Sequence, residues 1–239
     1  PYTQIDVVQF PEGLGGNNII EQTFKGPIHQ QLREALQYIR NTIITERVVK
    51  HSDRAEADRF FNYPFAAIEE ALSNAVYHRA YDEREPIEVR VEKDRIEILS
   101  FPGPDRSVTI EGLKSYRVSN RRYRNRRIGD FLKELHLTEG RNTGFKKILD
   151  ALETNGSPKP EFETDEAHSY FISRLFIHEG FLKENQVTGN VSLNGSVVEN
   201  EQESVDRMIR IFKSNLSDKE KEKMLPIIDY LKVNDTIDP

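Results

Sequence analysis

The chain of 239 residues contains no cysteine. This excludes disulfides and thiolate metal sites and fits a reducing cytoplasm, where the protein is expected to work. Its six histidines are scattered without ligand spacing, and no zinc site is read from them. No run approaches the ~18 apolar residues of a membrane-spanning helix, and no segment has the layout of a secretory signal, so no membrane partner is expected. No internal repeat is present. The chain opens on Pro1 without an initiator methionine, which leads to the expectation that it is a piece of a longer protein.

Apolar residues make up 36 % of the chain and charged residues 31 %. That balance allows one core of ordinary domain size with a very polar surface and polar tails. The net charge is −6, unevenly spread. Residues 114–147 hold eleven Lys and Arg against three Asp and Glu, a local +8, so the remainder sums to −14. Within that segment, Arg121, Arg122, Tyr123, Arg124, Asn125, Arg126 and Arg127 combine basic and aromatic side chains. Three readings fit: neutralisation of a bound phosphate, contact with nucleic acid, and a solvated helix face.

Residues 63–81 read as one helix with two unlike faces. At about 100° per residue, Phe65, Ile68, Leu72, Ala75 and Val76 form an apolar stripe suited to lying on a sheet. Glu70, Asn74 and His78 recur every fourth residue on a separate, polar side. A carboxylate one turn before a carboxamide can set a general base beside a hard oxygen ligand of the kind magnesium accepts. The competing reading is a solvated polar face. Downstream, Ile87, Val89 and Val91 alternate with Glu88, Arg90 and Glu92, and residues 95–100 alternate again, so residues 86–101 read as a hairpin of half-buried strands. If Ile96 and Ile98 face the core, period two places Ser100 on that face too. Residues 139–144, Glu-Gly-Arg-Asn-Thr-Gly, lead into a helix over residues 145–152. Glycine-flanked amides at a helix start suit an anion, although Gly-x-x-x-Gly also occurs in ordinary loops.

Taken in order, these blocks resemble the ATP-binding domain of the GHKL superfamily, which includes gyrase, histidine kinases, heat-shock chaperones and mismatch-repair ATPases. The chain looks most like the branch that follows a Schlafen AlbA-type DNA-binding domain in bacterial and archaeal transcriptional regulators, often labelled helicase-related. The resembling residues are Tyr63 and Pro64, Glu70-x-x-x-Asn74–Ala75 with His78, Arg79 and Tyr81, then Ser100, Phe101, Pro102 and Gly103. They continue through Arg124, Asn125, Ile128, Phe131 and Leu132 to Glu139, Gly140, Arg141, Asn142, Thr143 and Gly144. The likeness is clearest over residues 63–156 and looser over 1–181. It implies an α+β, Bergerat-type two-layer sandwich, a mixed sheet covered on one face by helices, followed by a short helical extension. It also implies ATP and magnesium as cofactors. Asn74 would ligate magnesium and Glu70 would activate water in a hydrolysing member. His78, Ser100, Gly103, Arg124, Asn125, Gly140, Arg141, Thr143 and Gly144 would bind nucleotide, with Gly103 on the adenine side and Gly140 and Gly144 near the phosphates. The basic segment would be a lid. One departure stands out: the superfamily's adenine-binding aspartate is replaced by Ser100, which lacks the charge.

Along the chain, residues 2–10 and 18–25 read as strands joined by a glycine-rich turn, and Gly26–Pro27 starts a helix over residues 28–43 striped by Leu32, Ala35, Leu36 and Ile39. Residues 44–60 suggest one or two charged strands. A helix over residues 125–136 is expected to bury Ile128, Leu132 and Leu135, and residues 161–163 and 170–177 read as closing strands. Residues 1–62 are thus expected to integrate with a core of residues 63–181. Residues 182–203 form a polar linker. Residues 204–239 read as two short amphipathic helices, either the start of a truncated winged helix-turn-helix or elements that pack on the main domain or a partner chain. Three functions follow: a nucleotide-sensing regulatory module whose DNA contact is made by domains outside this fragment, a slow ATPase using Glu70, and a fold without nucleotide that contacts nucleic acid or protein. A homodimer is compatible with each.

Overall fold

A computed structural model describes residues 3–50, 54, 56–118, 124–135, 137 and 144–182. The expected linker from residue 183 on and the helices of residues 204–239 lie outside the described residues, as do residues 119–123, 136 and 138–143 of the basic segment. Strands β1 (Ile5–Gln9), β2 (Ile20–Phe24), β5 (Ile87–Val91), β6 (Arg95–Ser100), β7 (Glu161–Glu163) and β8 (Phe171–Phe176) build one mixed sheet in the order β2-β1-β5-β6-β8-β7. Only β1 and β5 pair in parallel; the other neighbours are antiparallel. Helices α1 (Ile28–Tyr38), α2 (Phe65–His78), α3 (Ile110–Lys114), α4 (Arg126–Glu134) and α5 (Gly144–Asn155) complete an α+β fold.

The alternation read from the sequence sets the two faces of the sheet. Ile5, Val7, Ile87, Val89, Ile96, Ile98, Leu175 and Phe162 are buried on one face together with the stripes of α1 and α2. Ile68 and Leu72 of α2 are fully buried, each stabilising the fold by about 1.5–3 kcal/mol. Phe65 is only partly buried and packs at the margin of the core. The other face is charged. Arg174 Nε donates to Glu97 Oε1 at 2.6 Å, and its other nitrogens reach Glu161 at 2.8 Å and Glu163 at 3.2 Å. Burial works against the Glu97 charge, but hydrogen bonds from Arg174 and Arg95 outweigh it and hold the carboxyl below its usual range.

The helix expected over residues 28–43 is present, but its last turn, Ile39–Ile43, widens into a π-helix before Ile44 turns extended at φ −76°. Leu32, Ala35, Leu36 and Ile39 are buried as their spacing predicts. The charged stretch after it forms β3 (Glu46–Val49) and β4 (Asp58–Phe61), an antiparallel pair separate from the main sheet. Asn62 ties this excursion back: its Oδ1 accepts from the amides of Thr45 and Tyr63, and its Nδ2 donates to the Ile43 carbonyl. This delivers the chain to Pro64, whose fixed φ suits the residue that opens α2. Among the described residues, no helix is long and apolar enough to cross a membrane.

Candidate functional site

Helix α2 carries two of the predicted clusters, one along its polar face and one at its C-terminal end. On the polar face, the four-residue spacing brings Asn74 Nδ2 within 3.2 Å of Glu70 Oε1. Glu70 is buried despite its charge, and its second oxygen lies 3.5 Å from Lys147 Nζ. Lys147 belongs to α5, which packs alongside α2 with Ile148 and Leu152 in the core. The first residue of α5 explains how the helices come so close. A Cβ added at Gly144 would lie 2.7 Å from Glu70 Oε1 and 2.8 Å from Asn74 Nδ2. Gly144 therefore leaves room for the polar pair and brings the start of a helix against it. Further along, Ser73 Oγ donates to the Leu137 carbonyl at 3.2 Å.

At the C-terminal end of α2, Arg79 turns extended at ψ 154° and ends the helix. The last carbonyls then need donors, as at any helix end. Asn125 Nδ2 donates to the Tyr77 and Arg79 carbonyls at 3.0 and 2.6 Å. Arg124 donates to the His78 carbonyl at 2.5 Å and to the Gly103 carbonyl at 3.2 Å. Tyr81 Oη donates to the Val76 carbonyl, and the buried Arg79 spends its guanidinium on the carbonyls of Ala80, Glu83 and Glu85. Helix α4 is pressed on α2 at Gly129, where a Cβ would fall 2.1 Å from the Tyr77 ring. Burial, and secondarily the Arg124 charge, lower the His78 pKa to about 4, so its imidazole is neutral at pH 7.

Ser100 lies on the core face of β6 at 3 % exposure, where period two places it. Gly103 is buried and accounted for by protein contacts. Its amide donates to the His168 carbonyl at 2.8 Å, and a Cβ there would meet the Tyr170 carbonyl at 2.5 Å and Thr164 Oγ1 at 2.7 Å. Gly140, Arg141 and Thr143 lie outside the described residues, as do Arg121 and Arg122 of the basic segment. The structure thus brings Glu70, Asn74 and Gly144 together, and separately groups His78, Arg124, Asn125 and Gly103. Two neighbours were not read from the sequence. Lys147 was counted only within the basic segment, although its place three residues after Gly144 was a usable signal. Thr164 had none, because its proximity to Gly103 depends on the turn between β7 and β8.

The polar pair suits magnesium in part. A carboxylate and a carboxamide offer hard oxygens, and this ion takes few protein ligands when phosphates and waters supply the rest. No cluster of three or more acidic or histidine side chains that would hold a metal by itself occurs among the described residues. Asn74 would hold the ion through Oδ1, since Nδ2 faces Glu70.

A family model described as "Putative ATP-dependent DNA helicase recG C-terminal" matches residues 85–172. It supports an ATPase-like domain, which suggests a nucleotide-binding module. The matched residues include Ser100, Gly103, Arg124, Asn125 and Gly144 and leave out Glu70, Asn74 and His78. No curated protein matches the chain. The crystal structure of the DIP2311 protein from Corynebacterium diphtheriae is similar in fold, with a TM-score of 0.61 and 24 % identity over 73 % of this chain. The chain spans 34 % of that protein's length, and the likeness is one of fold alone.

Proposed function

We propose that this chain is the ATP-binding regulatory module of a transcriptional regulator of the Schlafen AlbA-associated kind. Asn74 would hold magnesium, and Glu70 and the start of α5 would face the phosphates. The observation that carries this reading is the approach of Gly144 to Glu70 and Asn74, which joins two sequence blocks some seventy residues apart. Asn74 supplies a hard oxygen, Gly144 supplies space, and the basic residues from 114 to 147 offset phosphate charge. Magnesium, when bound, supplies a positive centre that draws the phosphate oxygens together. Nucleotide then regulates by binding one state of the chain more tightly than another. The partners in this reading are the nucleotide, DNA through attached domains, and a second copy of the chain.

Calorimetric titration of ATP with and without magnesium tests the reading. Magnesium-dependent binding supports it. No binding in either condition moves the chain to the alternative of a fold that contacts nucleic acid or protein without nucleotide, which the loss of the aspartate at Ser100 favours. A second reading, slow hydrolysis, is favoured by the place of Glu70 one turn before Asn74. There the carboxylate would take a proton from water, and Glu70→Gln should lower any turnover by about 10²–10⁴ without abolishing binding.

A further inference from the structure

We infer that Lys147 is the residue that distinguishes a nucleoside triphosphate from a diphosphate at this site, by exchanging its partner. The inference rests on the nucleotide reading above. In the structure Lys147 Nζ faces Glu70 Oε2 at 3.5 Å, while Oε1 takes the Asn74 amide. Both oxygens of a buried carboxylate are therefore engaged by groups from the place assigned to the phosphates. The two partners differ in freedom. The Glu70 side chain is 10 % exposed and fixed on α2, whereas the Lys147 side chain is 36 % exposed on a four-carbon stem. An ammonium is a compact point charge with three rotatable donors, so it can leave one anion for another without rearranging a helix.

Gly144 and Lys147 share one face of α5, a single turn apart, so the ammonium and the first residue of the helix address the same volume beside Asn74. In this proposal the phosphate nearest Asn74 and Lys147 is the terminal one. A terminal phosphate brings about two negative charges toward a lone carboxylate, so it competes well for the ammonium and repels Glu70. A diphosphate lacks that group and leaves the Lys147–Glu70 pair in place. Lys147 is a positioning residue for Glu70 where the two pair and a ligand-binding residue where it turns to the terminal phosphate.

The test is the ratio of ATP to ADP affinity, measured by calorimetry with magnesium on the parent, Lys147→Met and Lys147→Arg. A charged hydrogen bond to phosphate is worth about tenfold in affinity. The expected result is an ATP preference in the parent that falls about tenfold in Lys147→Met, with ADP affinity little changed, and returns in Lys147→Arg. Methionine keeps most of the stem, and a matching urea midpoint would verify that the variant is folded. An unchanged ratio with both nucleotides bound would overturn the inference and leave the nucleotide reading standing. Equal weakening of both nucleotides would overturn it too, because that is a structural effect. Failure of the parent to bind either nucleotide would overturn both readings.

Discussion

The middle and the C-terminal end of α2 contrast in what holds them. Toward the middle of the helix, Glu70 and Asn74 meet Gly144 and Lys147 through side-chain groups that a phosphate or a cation can replace. At the C-terminal end, Arg124 and Asn125 reach main-chain carbonyls of α2, and Gly103 is locked to the turn around His168 by its own backbone. Residues that share one sequence pattern therefore divide into two jobs. The first group joins side chains of α2 to α5. The second spends it on ending a helix and fixing a loop.

The sharpest way to break this comparison is to add one methyl group at each place. At Gly103 the added Cβ meets main-chain atoms of His168 and Tyr170, which cannot move without shifting β8. Gly103→Ala should therefore lower stability by about 3 kcal/mol, read as a drop in the urea midpoint with unchanged slope. At Gly144 the same methyl meets the ends of Glu70 and Asn74, which can rotate away. Gly144→Ala should cost less than about 1 kcal/mol in stability, yet weaken magnesium-dependent nucleotide binding. Equal destabilisation by both substitutions would erase the distinction.

A smaller effect is expected from His78. Its folded pKa of about 4 lies below the ordinary value of 6.5, so the unfolded chain binds the proton more readily. Stability from the neutral imidazole is complete above pH 6.5 and is lost as pH falls toward 4. Between pH 6.5 and 5 the loss should be about 1–2 kcal/mol, and His78→Gln should flatten that window. A parallel pH profile in the variant would contradict the assignment. Smaller still is Asn125→Ala, which strips two donors from half-buried carbonyls and should cost about 1 kcal/mol in thermal or urea unfolding.

Much of the fold was legible because local periodicity and packing agree. Alternation in residues 87–100 gave the central hairpin, and period two placed Ser100 on the buried face. The i, i+3, i+4 stripes gave α1 and α2. The separation of β3 and β4 into a sheet of their own was not legible, because their charged sequences carry no signal for which strand they join. The site was legible in halves. Spacing alone aligned Glu70 with Asn74, but the meeting with Gly144 and Lys147 depends on the packing of α5 along α2. Arg124 and Asn125 were read as nucleotide ligands; their hydrogen bonds to α2 carbonyls arise from the need to cap a helix whose end the sequence marks only weakly. The resemblance marked these positions as one set, and the hydrogen bonds of Arg124 and Asn125 to main-chain carbonyls are contacts it did not indicate.

The measurement that tests the central claim most directly pairs Asn74→Ala with Asn125→Ala in calorimetric titrations of ATP across magnesium concentrations. Both lose one carboxamide close to α2, so a nonspecific effect on the helix would appear in both. Asn74→Ala is predicted to abolish the dependence of ATP affinity on magnesium, while Asn125→Ala keeps the parent's dependence at a slightly lower stability. Undiminished magnesium linkage in Asn74→Ala, or its loss in Asn125→Ala alone, would contradict the placement of the site on the polar face of α2.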